Sequence, residues 1–280
     1  MPHFLVGVTI VSIGTSMPEL VASVLAVLRG SSEIVAGNVV GSNVTNLLLV
    51  LGLAAIIGGR LRIEYDLVKV DLPFLVGSAF FLALVLWSGG VSRSEGVLSL
   101  CGLGLYVWYA LTGKAPIERE LDGRESAIAA EPRWLRSTLV LIGAAGLIYL
   151  GADWTVEAVV RISGLVGIGA EVIAASAVAL GTSLPEVAVT VAAARRGRPE
   201  VAVGNVLGSN VFNAFAVVGA SALVGPLVVP QSILNFGLPV MIIATLLAFS
   251  MIMEKEMTKW EGWLSLLFYV YFLGALFNLL

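Results

Sequence analysis

Charge is scarce in this sequence: Asp, Glu, Lys and Arg together make up 12% of 280 residues, where a soluble domain carries about 25%. With 58% hydrophobic residues and a mean hydropathy of +0.98, the composition argues against a water-soluble globule. Cysteine and histidine are rarer still, with one of each. A lone Cys101 in an apolar run excludes a disulfide framework or a cysteine-built metal site within one chain, and His3 is expected to be an exposed terminal residue. Residues 1–4 have no basic n-region, and the next apolar run holds Gly-Thr-Ser-Met-Pro-Glu in place of a small-residue cleavage site. The start is therefore not expected to be a secretory signal.

What is present is a succession of apolar stretches near the ~20 residues that cross a bilayer as a helix. Nine are predicted, at about 4–29, 34–58, 67–88, 95–112, 135–160, 166–194, 200–225, 231–253 and 260–279. The one extended polar stretch, 113–133, reads as an aqueous linker. Lys and Arg divide unequally between alternate loops: 13 fall on the side of the linker and 3, Arg29, Arg93 and Arg161, on the other. Basic loops stay in the cytoplasm. A multi-pass protein of the cell (inner) membrane is expected, with residue 1 and segment 113–134 cytoplasmic and the C-terminus outside.

Sliding the chain against itself by 167 positions aligns Gly14–Asn46 with Gly181–Asn213 without a gap, and 18 of 33 positions are identical. The shared words are Gly-Thr-Ser-x-Pro-Glu (14–19 and 181–186) and Gly-Asn-Val-x-Gly-Ser-Asn-Val-x-Asn (37–46 and 204–213). Five predicted spans separate the copies, so the second is upside down in the bilayer, the inverted-repeat plan that places a site at the midplane. The expected fold is an all-α membrane protein made of two five-helix units: a first repeat at 1–112, a linker at 113–134 and an inverted second repeat at 135–280. The helix at 135–160 has no counterpart after residue 1, so the first unit is expected to lack its opening helix, which an upstream segment would supply.

Glu19 and Glu186 fall inside apolar spans, where a charged side chain costs about 2.5–3.5 kcal/mol even on lenient insertion scales. Pro18 and Pro185 cannot donate to the preceding turn, which frees the carbonyls of Gly14, Thr15, Gly181 and Thr182. Ser12, Thr15, Ser16 and Glu19 share one helix face, and Asn38, Ser42 and Asn46 share a face of the next. The second copy offers Thr182, Ser183 and Glu186 with Asn205, Ser209 and Asn213, and Ala179 stands opposite Ser12. Asn38 and Asn205 are as readily read as helix-packing residues. The set is all oxygen, which suits hard cations, and Ca2+ takes six to eight oxygens. Two carboxylates balance one Ca2+ and repel each other without it, so Na+ or protons must replace it.

At these words the sequence resembles the Ca2+/cation antiporter superfamily, specifically the sodium/calcium exchanger type of prokaryotes, whose two α-repeats they match. The resemblance implies ten helices, a Ca2+ site made by the side chains of Glu19 and Glu186 with the carbonyls of Thr15 and Thr182, and Na+ sites using Ser16, Ser42, Ser183, Ser209 and the carbonyls at Ser12 and Ala179. It also implies that the first and sixth family helices slide together. Some members carry Asp at position 213, a feature of K+-dependent exchange, so Asn46 with Asn213 points to a K+-independent protein. The H+-coupled branch carries Glu inside the Gly-Asn word, where Gly41 and Gly208 stand here. Antiport of Ca2+ against Na+ is thus the expected function, with Ca2+/H+ exchange as the alternative. The expected partners are the bilayer and the two transported ions, with no resident cofactor and no nucleic acid. An intramembrane hydrolase would need a nucleophile with its base, and a scaffold would not need paired polar words in mid-membrane; neither pattern is met. Asp153, Glu157 and Glu171 remain outside the site, and Trp154 and Trp260 suit interface anchors.

Overall fold

The computed structural model describes residues 11–63, 71–112 and 134–279. His3, the start of the predicted span 4–29 and segment 113–133 lie outside the described residues. Each of the nine apolar stretches is helical over most of its described residues. We number the helices α1 (Ser12–Thr15), α2 (Met17–Leu28), α3 (Glu33–Gly58), α4 (Asp71–Leu86), α5 (Arg93–Thr112), α6 (Trp134–Val166), α7 (Ala170–Thr182), α8 (Leu184–Arg195), α9 (Pro199–Val224), α10 (Ile233–Met253) and α11 (Lys259–Leu276). Among the described residues, α3, α9 and α10 are each long and apolar enough to cross a membrane, and the pair α7–α8, bent by 44°, makes a fourth. The chain is an all-α membrane protein.

Two boundaries differ from the expected ones. Helix α6 continues to Val166, past the polar Arg161-Ile162-Ser163-Gly164 that reads as a stop in sequence. The stretch 166–194 starts later, at Ala170, and is two helices. Ser16 and Ser183 are the joints of the two broken helices, with φ/ψ of −89°/8° and −82°/4°, and a proline opens each following helix. The prolines cause the breaks by removing a donor and crowding the turn before them.

Helices α3 and α9 form the centre. Within their apolar windows 78% and 94% of residues are buried. Helix α3 packs on α7, α8, α10 and α11, and α9 on α1, α4, α5 and α8. Gly37 and Gly41 let α3 touch the backbone of α7: a Cβ on either would lie 2.2 Å from the Glu171 carbonyl oxygen or 2.3 Å from that of Ala175. Both central helices loosen into π-helical turns, at Thr45–Val50 and Asn213–Val217, a feature common at functional sites.

Four very short strands, invisible to period-based reading, join the helix ends: β1 (Arg60–Arg62), β2 (Gly90–Val91), β3 (Leu227–Val228) and β4 (Glu256–Thr258). β1 pairs antiparallel with β4, Leu61 opposite Met257, and β2 with β3, Gly90 opposite Val228. Adding 167 to the positions of β1 and β2 gives 227–229 and 257–258, which overlap β3 and β4, so each ladder maps onto the other. Gly30 and Gly197, also 167 apart, both end a turn at positive φ, 76° and 65°, a conformation that costs glycine little.

Candidate functional site

The two broken helices meet at their joints. Each joint serine reaches the other repeat's carboxylate: Ser16 Oγ donates to Glu186 Oε1 at 2.8 Å and Ser183 Oγ to Glu19 Oε1 at 3.3 Å. Ser209 Oγ also donates to Glu186 Oε1, at 3.3 Å. Both carboxylates are fully buried. The joints point this way because the proline-broken turn ends one helix at the serine and starts the next with the glutamate in its first turn.

Beside them lie the amides of α3 and α9. Asn46 Nδ2 donates to Asn210 Oδ1 at 3.1 Å, and Asn213 Nδ2 donates to Asn43 Oδ1 at 3.2 Å. Asn38 Nδ2 donates to Ser23 Oγ and Asn205 Nδ2 to Thr190 Oγ1, both at 3.0 Å. Every one of these contacts recurs 167 positions on. Asn38 also donates to the Glu19 carbonyl at 3.3 Å, so the helix-packing reading fits these two asparagines: they hold the glutamate-bearing helices in place.

Several oxygens of the same residues and their neighbours are left over. Glu19 Oε2, Glu186 Oε2, Ser42 Oγ, Asn46 Oδ1 and Asn213 Oδ1 are buried and have no hydrogen-bond partner among the described residues. Each unpartnered buried polar atom costs roughly 1–3 kcal/mol, so five together rival the ~5–15 kcal/mol that holds an ordinary domain folded. Buried oxygens without partners, carried by the two joint glutamates and by the neighbouring helices α3 and α9, are what a hard cation needs. Among the described residues no three His, Cys, Asp or Glu side chains come together, so the anionic charge of the cluster is that of two carboxylates.

Of the residues picked out in the sequence, Ser12, Thr15, Ser16, Glu19, Ser42, Asn46, Ala179, Ser183, Glu186, Ser209 and Asn213 are all buried in this region. Thr182 is half-buried, on the wall of a cavity of about 440 Å³ between α6 and α7 that also includes Pro18, Gly181 and Pro185. The carbonyls of Ser12 and Ala179 each accept a backbone N–H, from Ser16 at 3.0 Å and Ser183 at 3.1 Å, and lie within reach of a threonine hydroxyl, at 3.3 and 3.5 Å. Each hydroxyl has a single hydrogen that it divides with another acceptor, Asn205 Oδ1 at 3.3 Å for Thr15 and the Val178 carbonyl at 3.1 Å for Thr182, so a lone pair on each of the two carbonyls is open to a cation when that hydrogen goes to the other acceptor. Sequence reasoning passed over Asn43 and Asn210, although both are among the identical repeat positions. Asp153 pairs with Arg29, Glu157 with Arg161 at 2.6 Å, and Glu171 accepts from Ser232 at 2.7 Å, all outside the cluster. Trp154 and Trp260 are exposed.

Comparison with known proteins identifies the family. The family described as "Sodium/calcium exchanger protein" matches residues 1–112 and 136–278. Sodium/calcium exchanger MaX1 of Methanosarcina acetivorans is 34% identical, over 98% of this chain and 89% of that protein. Inner membrane protein YrbG of Escherichia coli is 32% identical over 81% of this chain and 71% of its own length. A solved structure of the sodium-calcium exchanger NCX_Mj, soaked with 2.5 mM Na+ and 0.1 mM Ca2+, superposes with a TM-score of 0.72 at 28% identity, covering 96% of this chain and 85% of that one. The chain belongs to the sodium/calcium exchanger protein family and is a membrane cation antiporter, not an enzyme.

Proposed function

We propose that this chain exchanges Ca2+ for Na+ by alternating access to the buried oxygen cluster. The observation that carries the reading is the crossed pair of carboxylates, each held by the other repeat's joint serine and each with its second oxygen unpartnered. One Ca2+ between Glu19 and Glu186 neutralises both and takes up the oxygens of Asn46, Asn213 and Ser42. The carbonyls of Thr15 and Thr182 complete its shell. Without Ca2+ the carboxylates repel, and Na+ ions near Ser16, Ser42, Ser183 and Ser209, with the carbonyls at Ser12 and Ala179, restore neutrality. Na+ is favoured over H+ because the rim is hydroxyl-rich and no extra acid stands in the Gly-Asn words. Kinship by name to a sodium/calcium exchanger supports the same choice.

The architecture proposed for this activity is an inverted repeat, 1–112 and 135–280, joined by a cytoplasmic linker at 113–134, with nine crossings and the C-terminus outside. Its support is the 167-residue offset, the pairing of hydrogen bonds and strand ladders at that offset, and the 13 to 3 division of basic residues. Ca2+ uptake into proteoliposomes loaded with Na+ tests the function: uptake driven by the outward Na+ gradient is expected. Uptake that follows a pH gradient and ignores Na+ would refute Na+ coupling and favour the proton-coupled alternative.

A further inference from the structure

We infer that Asn43 and Asn210 are positioning residues that decide which atom of Asn46 and Asn213 faces the ion, and that the Asn210–Asn46 arm is rigid while the Asn43–Asn213 arm is soft. The inference rests on the proposed cation site.

The rigid arm starts from a main-chain carbonyl. Asn210 Nδ2 donates to the Asn43 carbonyl oxygen at 3.3 Å, and a carbonyl only accepts. Asn210 therefore cannot turn its amide over without setting oxygen against oxygen. Its Oδ1 is committed to face Asn46, which must answer with Nδ2, at 3.1 Å. The Oδ1 of Asn46 is thereby left for the cluster, without a partner of its own. No step in this chain has an alternative, because each donor or acceptor is fixed by the one before it.

The soft arm ends on sulfur. Asn43 Oδ1 accepts from Asn213 Nδ2 at 3.2 Å, and again the partner's Oδ1 is left over. What holds Asn43 itself is a 3.8 Å contact from its Nδ2 to Met241 Sδ, and a thioether is a weak acceptor. Turning Asn43 over gives up only that contact and offers Nδ2 to residue 213. Both locking residues are buried, at 3% and 2% exposure, so water does not replace a lost partner. A carboxylate only accepts, so it exposes the difference. At position 213 it meets an Asn43 that can turn to donate; at position 46 it meets an Asn210 that cannot.

The test compares Asn46→Asp with Asn213→Asp in full-length protein in proteoliposomes, as initial Ca2+ uptake under whichever gradient drives the wild type. N46D is expected to lose about tenfold more activity than N213D, the cost of one buried unmet hydrogen bond. Adding Asn210→Ala to N46D removes the opposed oxygen and is expected to recover most of that loss, whereas adding Asn43→Ala is not. Equal damage by the two acids, or equal recovery by the two alanines, overturns the inference. Should N46D not fold, an alanine cycle on apparent cation affinity decides: Asn46→Ala with Asn210→Ala is expected to be non-additive and Asn46→Ala with Asn43→Ala additive, and the reverse pattern overturns the inference. Failure of Na+ coupling in the wild type would contradict the proposed function and leave the N46D to N213D ratio readable under a pH gradient.

Discussion

The same word, Gly-Thr-Ser-x-Pro-Glu, builds both arms of the site, yet the arms differ. Thr15 is buried, and its hydroxyl is shared at 3.3 Å between the Ser12 carbonyl of its own helix and Asn205 Oδ1 across the repeat boundary. Thr182 is half-buried and donates back to its own helix, to the carbonyls of Val178 and Ala179 at 3.1 and 3.5 Å. Glu186 accepts from two serines, Ser16 and Ser209, while Glu19 accepts from Ser183, and Ser42, the equivalent of Ser209, has no partner. Since the side chains are chemically the same, the difference is conformational. The first arm is closed onto the second repeat, and the second lines the cavity beside α6. In a pair of equivalent arms, trading these roles needs no new chemistry, which is how inverted repeats support alternating access.

Removing the charge shared by the arms is expected to have the largest effect. Glu19→Gln and Glu186→Gln should each lower Ca2+ uptake by about 100-fold or more, since a charge-assisted contact of ~3 kcal/mol corresponds to two decades; a variant that keeps half the wild-type rate would break the paired-carboxylate account. Next come the joint serines. Ser16→Ala loses the 2.8 Å bond to Glu186 and Ser183→Ala the 3.3 Å bond to Glu19, and both should raise the apparent Na+ constant, Ser16→Ala by about tenfold and Ser183→Ala by less. Equal effects in a Na+ titration would mean that the arms are equivalent in solution.

The threonines sharpen the comparison. Thr15→Val deletes an inter-repeat bond and should lower thermal stability by about 1 kcal/mol, a few degrees in a melting scan, whereas Thr182→Val deletes bonds within one helix and should melt closer to wild type. A larger loss for Thr182→Val would show that the closed and open arms have been assigned the wrong way round. The smallest effect belongs to Arg29→Ala, which breaks the surface pair with Asp153; exposed pairs contribute about 0–1 kcal/mol, so melting should hardly move, and a drop of many degrees would give α6 a larger structural role.

Much of the site was legible in sequence because repetition singles out positions that composition hides. Glu19, Glu186, Ser16, Ser183, Asn46 and Asn213 stand in the shared words, and Pro18 and Pro185 announced the breaks at Ser16 and Ser183. The crossing of contacts between repeats was not legible. A helix period places Ser16 and Glu19 on one face but cannot tell that Ser16 serves Glu186. Asn43 and Asn210 were missed for the same reason: they sit one residue off the faces that period selects, and their task depends on a partner helix. Strands of two and three residues carry no alternation to read, and the polar residues near Arg161 resembled an end that α6 runs through. That the threonine three residues on bonds back to the carbonyls of Ser12 and Ala179 was not legible either, since it depends on a side-chain rotamer.

The central claim, that Glu19 and Glu186 hold one Ca2+ between them and yield it to Na+, is tested most directly by equilibrium binding of radioactive Ca2+ to purified protein in detergent. The account predicts one Ca2+ per chain, displaced by Na+ and lost in both Glu19→Gln and Glu186→Gln. Binding that survives in either variant, or that Na+ does not displace, would contradict it.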